Sequence, residues 1–153
     1  MADQLITGTT LIEDRRSSVG EIWSCAGCHF DPVNPATDVH MKGLDAGANI
    51  YGAGIASGND QVWVANVNLP NGVKVTRAIV WVFNGGTVAT WSLRRRQLTA
   101  TTATSEILAT ADENVEDTSI LYDIIDNNTY AYFFHILDVD ANVNINGARI
   151  VYE

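Results

Sequence analysis

Alternation with a period of two is the feature that most limits the folds open to this chain. In Gln61 to Leu69, Val62, Val64 and Asn66 alternate with Trp63, Ala65 and Val67. Successive side chains of a strand point to opposite faces, so this pattern is that of a β-strand. Pro70-Asn71-Gly72 then turns the chain, because Pro presets φ and Gly accepts positive φ. Val73 to Phe83 is rich in β-branched and aromatic residues and reads as the next strand. Asn84-Gly85-Gly86 is a hairpin signal leading into Thr87 to Arg95.

The same reading continues to the C-terminus. Ile107 to Ala111 and Thr118 to Ile124 are two shorter strands. Asp126-Asn127-Asn128 turns the chain into Thr129 to Leu137, which is apolar on both faces, as a central strand covered on both sides would be. Asp138 to Asn142 turns again, and Val143 to Tyr152 closes the domain. The first half is looser. Leu5 to Ile12 and Glu21 to Ser24 read as short strands, and residues 31 to 58 are rich in Gly, Asn, Asp and Pro. One short helix is expected near residues 35–42, with Asn34 as N-cap, Pro35 at the first position and Gly43 after the end. About eight to ten short strands with regular turns predict an all-β, two-sheet antiparallel sandwich, jelly-roll-like.

A length of 153 residues with no linker-like break predicts a single domain, 1–153. An apolar fraction of 46% against 18% charged residues argues against a disordered tail or linker protein. The formal net charge of −9 argues against nucleic acid, whose phosphates need a positive face, and against an anionic membrane surface. No apolar run reaches the roughly 18 residues of a membrane helix, so no membrane insertion is expected. Met1 to Leu5 shows no basic patch followed by an apolar core, so no signal peptide is read there.

The run Leu69-Pro70-Asn71-Gly72-Val73-Lys74-Val75-Thr76 is similar to the LPxGxxVT step of a group of small bacterial, secreted or surface β-sandwich (jelly-roll) proteins of uncharacterised function. The similarity continues at Leu93-Arg94-Arg95, at Ile125-Asp126-Asn127 with Tyr130-Ala131-Tyr132, and at Gly147 to Tyr152. It covers roughly residues 60–153. The resemblance implies a sandwich fold, an extracellular or surface location, and strand and turn roles for these motifs, with no catalytic set. The two cysteines are not part of the group's pattern.

The sharpest chemical motif is Cys25-Ala26-Gly27-Cys28-His29. C-x-x-C-H is the attachment motif of haem c, in which two thiols form thioethers and the histidine ligates iron. Met41 or His40 would supply the second axial ligand. Against haem stand the missing export signal, the missing helical environment of a small cytochrome, and the absence of the motif from the resembling group. The same region suits zinc through Cys25, Cys28, His29 and His40, although adjacent Cys28 and His29 make poor tetrahedral geometry. The simpler reading is two small apolar residues in a strand and turn, free or locally disulfide-bonded.

Other candidates are weaker. Asp138, Asp140, Asn142 and Asn144 begin like a calcium loop, but the sixth position is Val143 and the twelfth Arg149, where Gly and Glu are needed. Arg94-Arg95-Arg96 could bind an anion, but reads better as charges ending an edge strand. His135 reads as a hydrogen-bonded face or core histidine. Trp23, Trp63, Trp81 and Trp91 could line a glycan surface but at strand positions read as core. Asn127-Asn128-Thr129 is a formal glycosylation sequon. No nucleophile elbow, H-E-x-x-H pair or phosphate loop is present. The sequence therefore predicts a non-enzymatic structural or assembly module, a homo-oligomer subunit of a surface or virion-like assembly. A haem c electron-transfer protein is the first alternative and a carbohydrate-binding module the second.

Overall fold

The computed structural model of the chain describes residues 20–33, 39–44, 51–57, 61–83, 88–102, 104–139 and 143–153, with backbone alone for 39–44, 51–57 and 61. The fold is all-β, two antiparallel sheets packed face to face. The described strands are β1 (Glu21–Ala26), β2 (Asp31–Pro32), β3 (Val39–Leu44), β4 (Tyr51–Ser57), β5 (Gln61–Val67), β6 (Val75–Phe83), β7 (Thr90–Gln97), β8 (Glu106–Asp112), β9 (Tyr130–Val139) and β10 (Asn144–Tyr152). Among the described residues the helical content is one 3-10 turn, Gly27–His29.

One sheet runs β2-β5-β9-β7-β8. The other is built on β10, which pairs with β6 along one side. Along its other side β10 pairs with β1 through residues 147–152 and with β4 through Asn144 and Ile145, and β4 in turn pairs with β3. Most spatial neighbours are not consecutive in the chain, because it crosses repeatedly between sheets, as in Greek-key sandwiches. The alternation read in β5 sends Trp63, Ala65 and Val67 into the core. Phe134 of β9 sits at the centre, with ring centroids 5.9 Å from Trp91, 6.1 Å from Trp23 and 6.4 Å from Phe30. Offset and edge-on aromatic contacts of this kind add to the burial of the rings themselves.

Four expectations change. The helix near residues 35–42 is not formed over 39–42, which belong to β3; residues 34–38 lie outside the described residues. Its cap-like residues carried no 3.6-residue apolar period behind them, and pairing with β4 decides the conformation. The hairpin expected around Asn84-Gly85-Gly86 is not formed by its flanking strands, since β6 and β7 lie in different sheets; the turn residues themselves lie outside the described residues. Thr118 to Ile124 is not a strand but part of an irregular connection with isolated bridges at Asp117 and Ile124. β9 is central, yet only one of its faces is sealed: Phe134 and Ile136 are fully buried, while Phe133, His135 and Leu137 are half-buried on the outside. The expected strand Leu5 to Ile12 lies outside the described residues.

The connection from β8 to β9 closes one side of the sandwich. Asp117 exchanges two backbone hydrogen bonds with Ala78 of β6, both 3.0 Å. Its carboxylate accepts from the Thr110 N–H of β8 and from the Ser119 N–H. The Asn114 side chain imitates a strand, donating to the Val82 carbonyl and accepting from the Val82 N–H. Glu116 meets Arg149 at 3.2 Å and Arg77 at 3.9 Å, tying the same segment to the outer face of the β10 sheet. The unpaired edge groups of β6 and β8 are thus satisfied by one loop.

Candidate functional site

The cysteine motif sits at the end of β1. Trp23 and Cys25 lie on the inner face of that strand and pack against the core. The chain then makes the 3-10 turn, in which the Phe30 N–H donates to the Gly27 carbonyl at 3.0 Å, and Phe30 enters the core fully buried. β1 lies very close to β10 here: a Cβ on Gly147 would come 2.6 Å from the Cys25 carbonyl oxygen, so this approach needs glycine. C-x-x-C-H is therefore the link between two core aromatics, Trp23 and Phe30.

Both cysteines are free and partly buried. Burial pushes the Cys25 thiol up to about 11, and the nearby Cys28 sulfur adds to the rise. The Cys28 sulfur lies 3.9 Å from His29 Nδ1, and His29 is exposed. The structure thus brings Cys25, Cys28 and His29 to one corner. His40 and Met41 are on β3, whose side chains lie outside the described residues, so their relation to this corner is not defined. Among the described residues no three His, Cys, Asp or Glu side chains gather closely enough to hold a metal ion. Of the calcium-like series, Asp138 is the last but one residue of β9 with φ of 61°, Asn144 begins β10, and Asp140 and Asn142 lie outside the described residues.

The tryptophans do not form a ligand face. Trp63 and Trp91 are fully buried, Trp23 stacks on Phe134, and Trp81 lies on the outer face beneath the Arg149 guanidinium at 5.1 Å. The arginine run does not end an edge strand either, because β7 is paired on both sides. Arg94 bonds Ser92 and Ser105, and Arg96 bonds the Thr102 carbonyl. His135 is not the fully hydrogen-bonded histidine the sequence suggests: its Nδ1 is buried without a partner among the described residues. Burial first, and the charge of Arg94 second, hold its pKa below the usual histidine value.

Arg95 makes a site that sequence reasoning misses. Its guanidinium lies 3.9 Å from the Tyr122 ring centroid and 4.1 Å from that of Tyr130, held between the two rings. Its Nε donates to Glu106 at 2.6 Å. The backbone at Tyr122 has φ of 51°, a conformation that a bulky residue adopts only when its surroundings impose it. Arg95, Tyr130 and Glu106 line a polar pocket of about 400 Å³ completed by Gln97, Ala100 and four threonines, Thr99, Thr101, Thr102 and Thr104. A charge run at the end of a strand was the only signal for it, and nothing in the sequence places Tyr122 beside Arg95.

The remaining motifs gather next to this pocket. The Tyr132 hydroxyl accepts from the Asp126 N–H, and the Asn127 side chain donates to the Leu69 carbonyl. The Asn127 N–H donates to Asn71, whose turn continues into Gly72 at φ of 84°. A bond from the Thr129 hydroxyl is the main cause of the lowered Asp126 pKa. The fold and this corner define the class: a two-sheet antiparallel β-sandwich whose turn motifs lock one another at one end. No protein-family model matches the chain, and no curated protein matches it. No described helix is long and apolar enough to cross a membrane.

Proposed function

We propose that the protein is a non-enzymatic structural or assembly module that self-associates through the open edge of β1, as a subunit of a surface or virion-like homo-oligomer. The observation that carries this reading is the contrast between edges. Those of β6 and β8 are capped by the Asn114–Ile124 connection, and that of β5 is partly covered by β2 with Pro32. β3 is an edge among the described residues, but it carries Lys42 and a register shift at Val39/His40. β1 has six residues in unbroken register with β10, no lysine, proline or bulge, and no second partner among the described residues. Ile22, on the outer face, is 57% exposed. Native edges of this kind are normally blunted, and an unblunted one is a template for another strand.

A second copy of the chain fits this edge. Antiparallel pairing about a two-fold axis continues the sheet across both subunits. Facing residues must then share a face, so an axis near Ser24 sets Ile22 against Ala26 of the second copy. Glu21 is the only charged residue of the strand, and this pairing keeps the two Glu21 carboxylates at opposite ends. The burial and high pKa of Cys25 support a structural role for the cysteine pair in the same strand, since a thiol that is hard to ionise is a poor nucleophile and ligand.

Sedimentation velocity and amide exchange test the reading. The wild type is expected to associate with concentration, with those amides of Glu21–Ala26 that point away from β10 gaining protection as it does. Ile22→Lys should shift it to monomer with unchanged circular dichroism. A clean monomer at high micromolar concentration overturns the proposal. So does protection of those amides in the monomer, which would mean that the chain covers its own edge.

A further inference from the structure

We infer that the pocket beside Arg95 is a binding site for a neutral saccharide. The ligand chemistry follows from which groups in the pocket are already committed. Arg95 is fixed before any ligand arrives: two tyrosine rings hold its faces and Glu106 holds its Nε. Its side chain is only 12% exposed, so the geometry is built into the domain rather than left to a mobile surface arginine. A guanidinium has five N–H donors, and among the described residues a single one of Arg95 is used. Around it stand Gln97, Thr99 and Thr101, whose side chains make no hydrogen bond among the described residues, and the Thr102–Thr104 hydroxyl pair, 2.9 Å apart. Donors and acceptors are therefore interleaved over a space of about 400 Å³, enough for one or two sugar rings.

Charge selects among polar ligands. The Glu106 carboxylate neutralises Arg95 within the site, and the chain as a whole carries −9. Phosphate or a uronate would meet that carboxylate in an unfavourable field, and a cation would meet Arg95. A polyhydroxylated neutral ring needs what the pocket offers: a fixed donor fork, a carboxylate acceptor, hydroxyls that both donate and accept, and the side of an aromatic ring in Tyr130. The site is separate from the β1 edge, so occupancy does not depend on self-association.

Nuclear magnetic resonance titration of the full chain with methyl glycosides of neutral hexoses, N-acetylhexosamines and fucose tests the inference, with glucuronate and inorganic phosphate as charged comparators. At least one neutral glycoside is expected to bind saturably, with a Kd on the order of 1 mM for a single ring. Shifts should be confined to residues 95–106 and Tyr130. Gln97→Ala and Thr101→Val, which remove no hydrogen bond among the described residues, should each weaken binding about threefold or more while leaving the melting temperature unchanged. Failure of every neutral glycoside to saturate overturns the inference, as does preferred binding of glucuronate or phosphate, or binding that both variants leave intact.

Discussion

At the residue scale, protonation separates the candidates that looked alike in the sequence. Cys25 packs against the core with its thiol pushed up to about 11. At pH 8 that leaves roughly one thiol in a thousand ionised, and the thiolate is the reactive form. Iodoacetamide is therefore expected to modify Cys25 far more slowly in the folded protein than in urea, with peptide mass spectrometry as the measurement. Equal rates in the two states would mean that Cys25 is not held as described. Replacing both cysteines by Ala should leave a folded protein, at a loss of about 1–2 kcal/mol. A covalent haem adduct on Cys25 and Cys28 in protein from its native host would instead establish the electron-transfer alternative. His135 gives a pH dependence whose sign is fixed. Its folded pKa is depressed by burial and by Arg94, so the unfolded chain takes up the proton first. Stability from this group is present above the unfolded histidine value and is lost as pH falls through it toward the folded pKa. Thermal melts from pH 7.5 to 5 should show a fall that His135→Gln removes in part.

At the element scale, the β8–β9 connection does the work of an edge strand without being one. Asn114 contributes most directly, with two hydrogen bonds to Val82 and a backbone φ of 62°. Asn114→Ala loses both bonds and places a Cβ residue without a local polar partner in the left-handed region, for a cost of about 2–4 kcal/mol. Asn114→Gly relieves the backbone and should recover about 1 kcal/mol of that, which chemical denaturation of the pair can resolve. This connection also marks where sequence reading stops. A strand with strong alternation, such as Gln61–Val67, was legible because its own side chains report which face is buried. Thr118 to Ile124 has strand-like composition, but its backbone is claimed by Asp117, Leu121 and Ile124 contacts to two different sheets, which no local pattern encodes. For the same reason Asn84-Gly85-Gly86 read as a hairpin: a tight turn fixes a reversal of the chain, not the sheet that receives the next strand. The cysteine corner was visible as a motif, whereas the Arg95 pocket depends on Tyr122, Tyr130 and Glu106 arriving from three separate segments.

At the scale of the whole molecule, the proposed assembly joins subunits that repel one another. Each carries −9, and the edge of β1 offers backbone hydrogen bonds and Ile22 rather than opposite charges. Like-charged subunits lose long-range repulsion as salt shortens the Debye length, from about 30 Å at 0.01 M to about 8 Å at 0.15 M. Backbone pairing and apolar contact are far less sensitive to this screening. Association through β1 should therefore strengthen between low and physiological salt, by about tenfold or less in Kd, since one decade corresponds to about 1.4 kcal/mol of relieved repulsion. Sedimentation equilibrium at the two salt concentrations measures it directly. Weakening with salt would instead identify an interface built on ion pairs, with Lys74 and Arg77 along the opposite, β6 margin of the sheet as candidate cations.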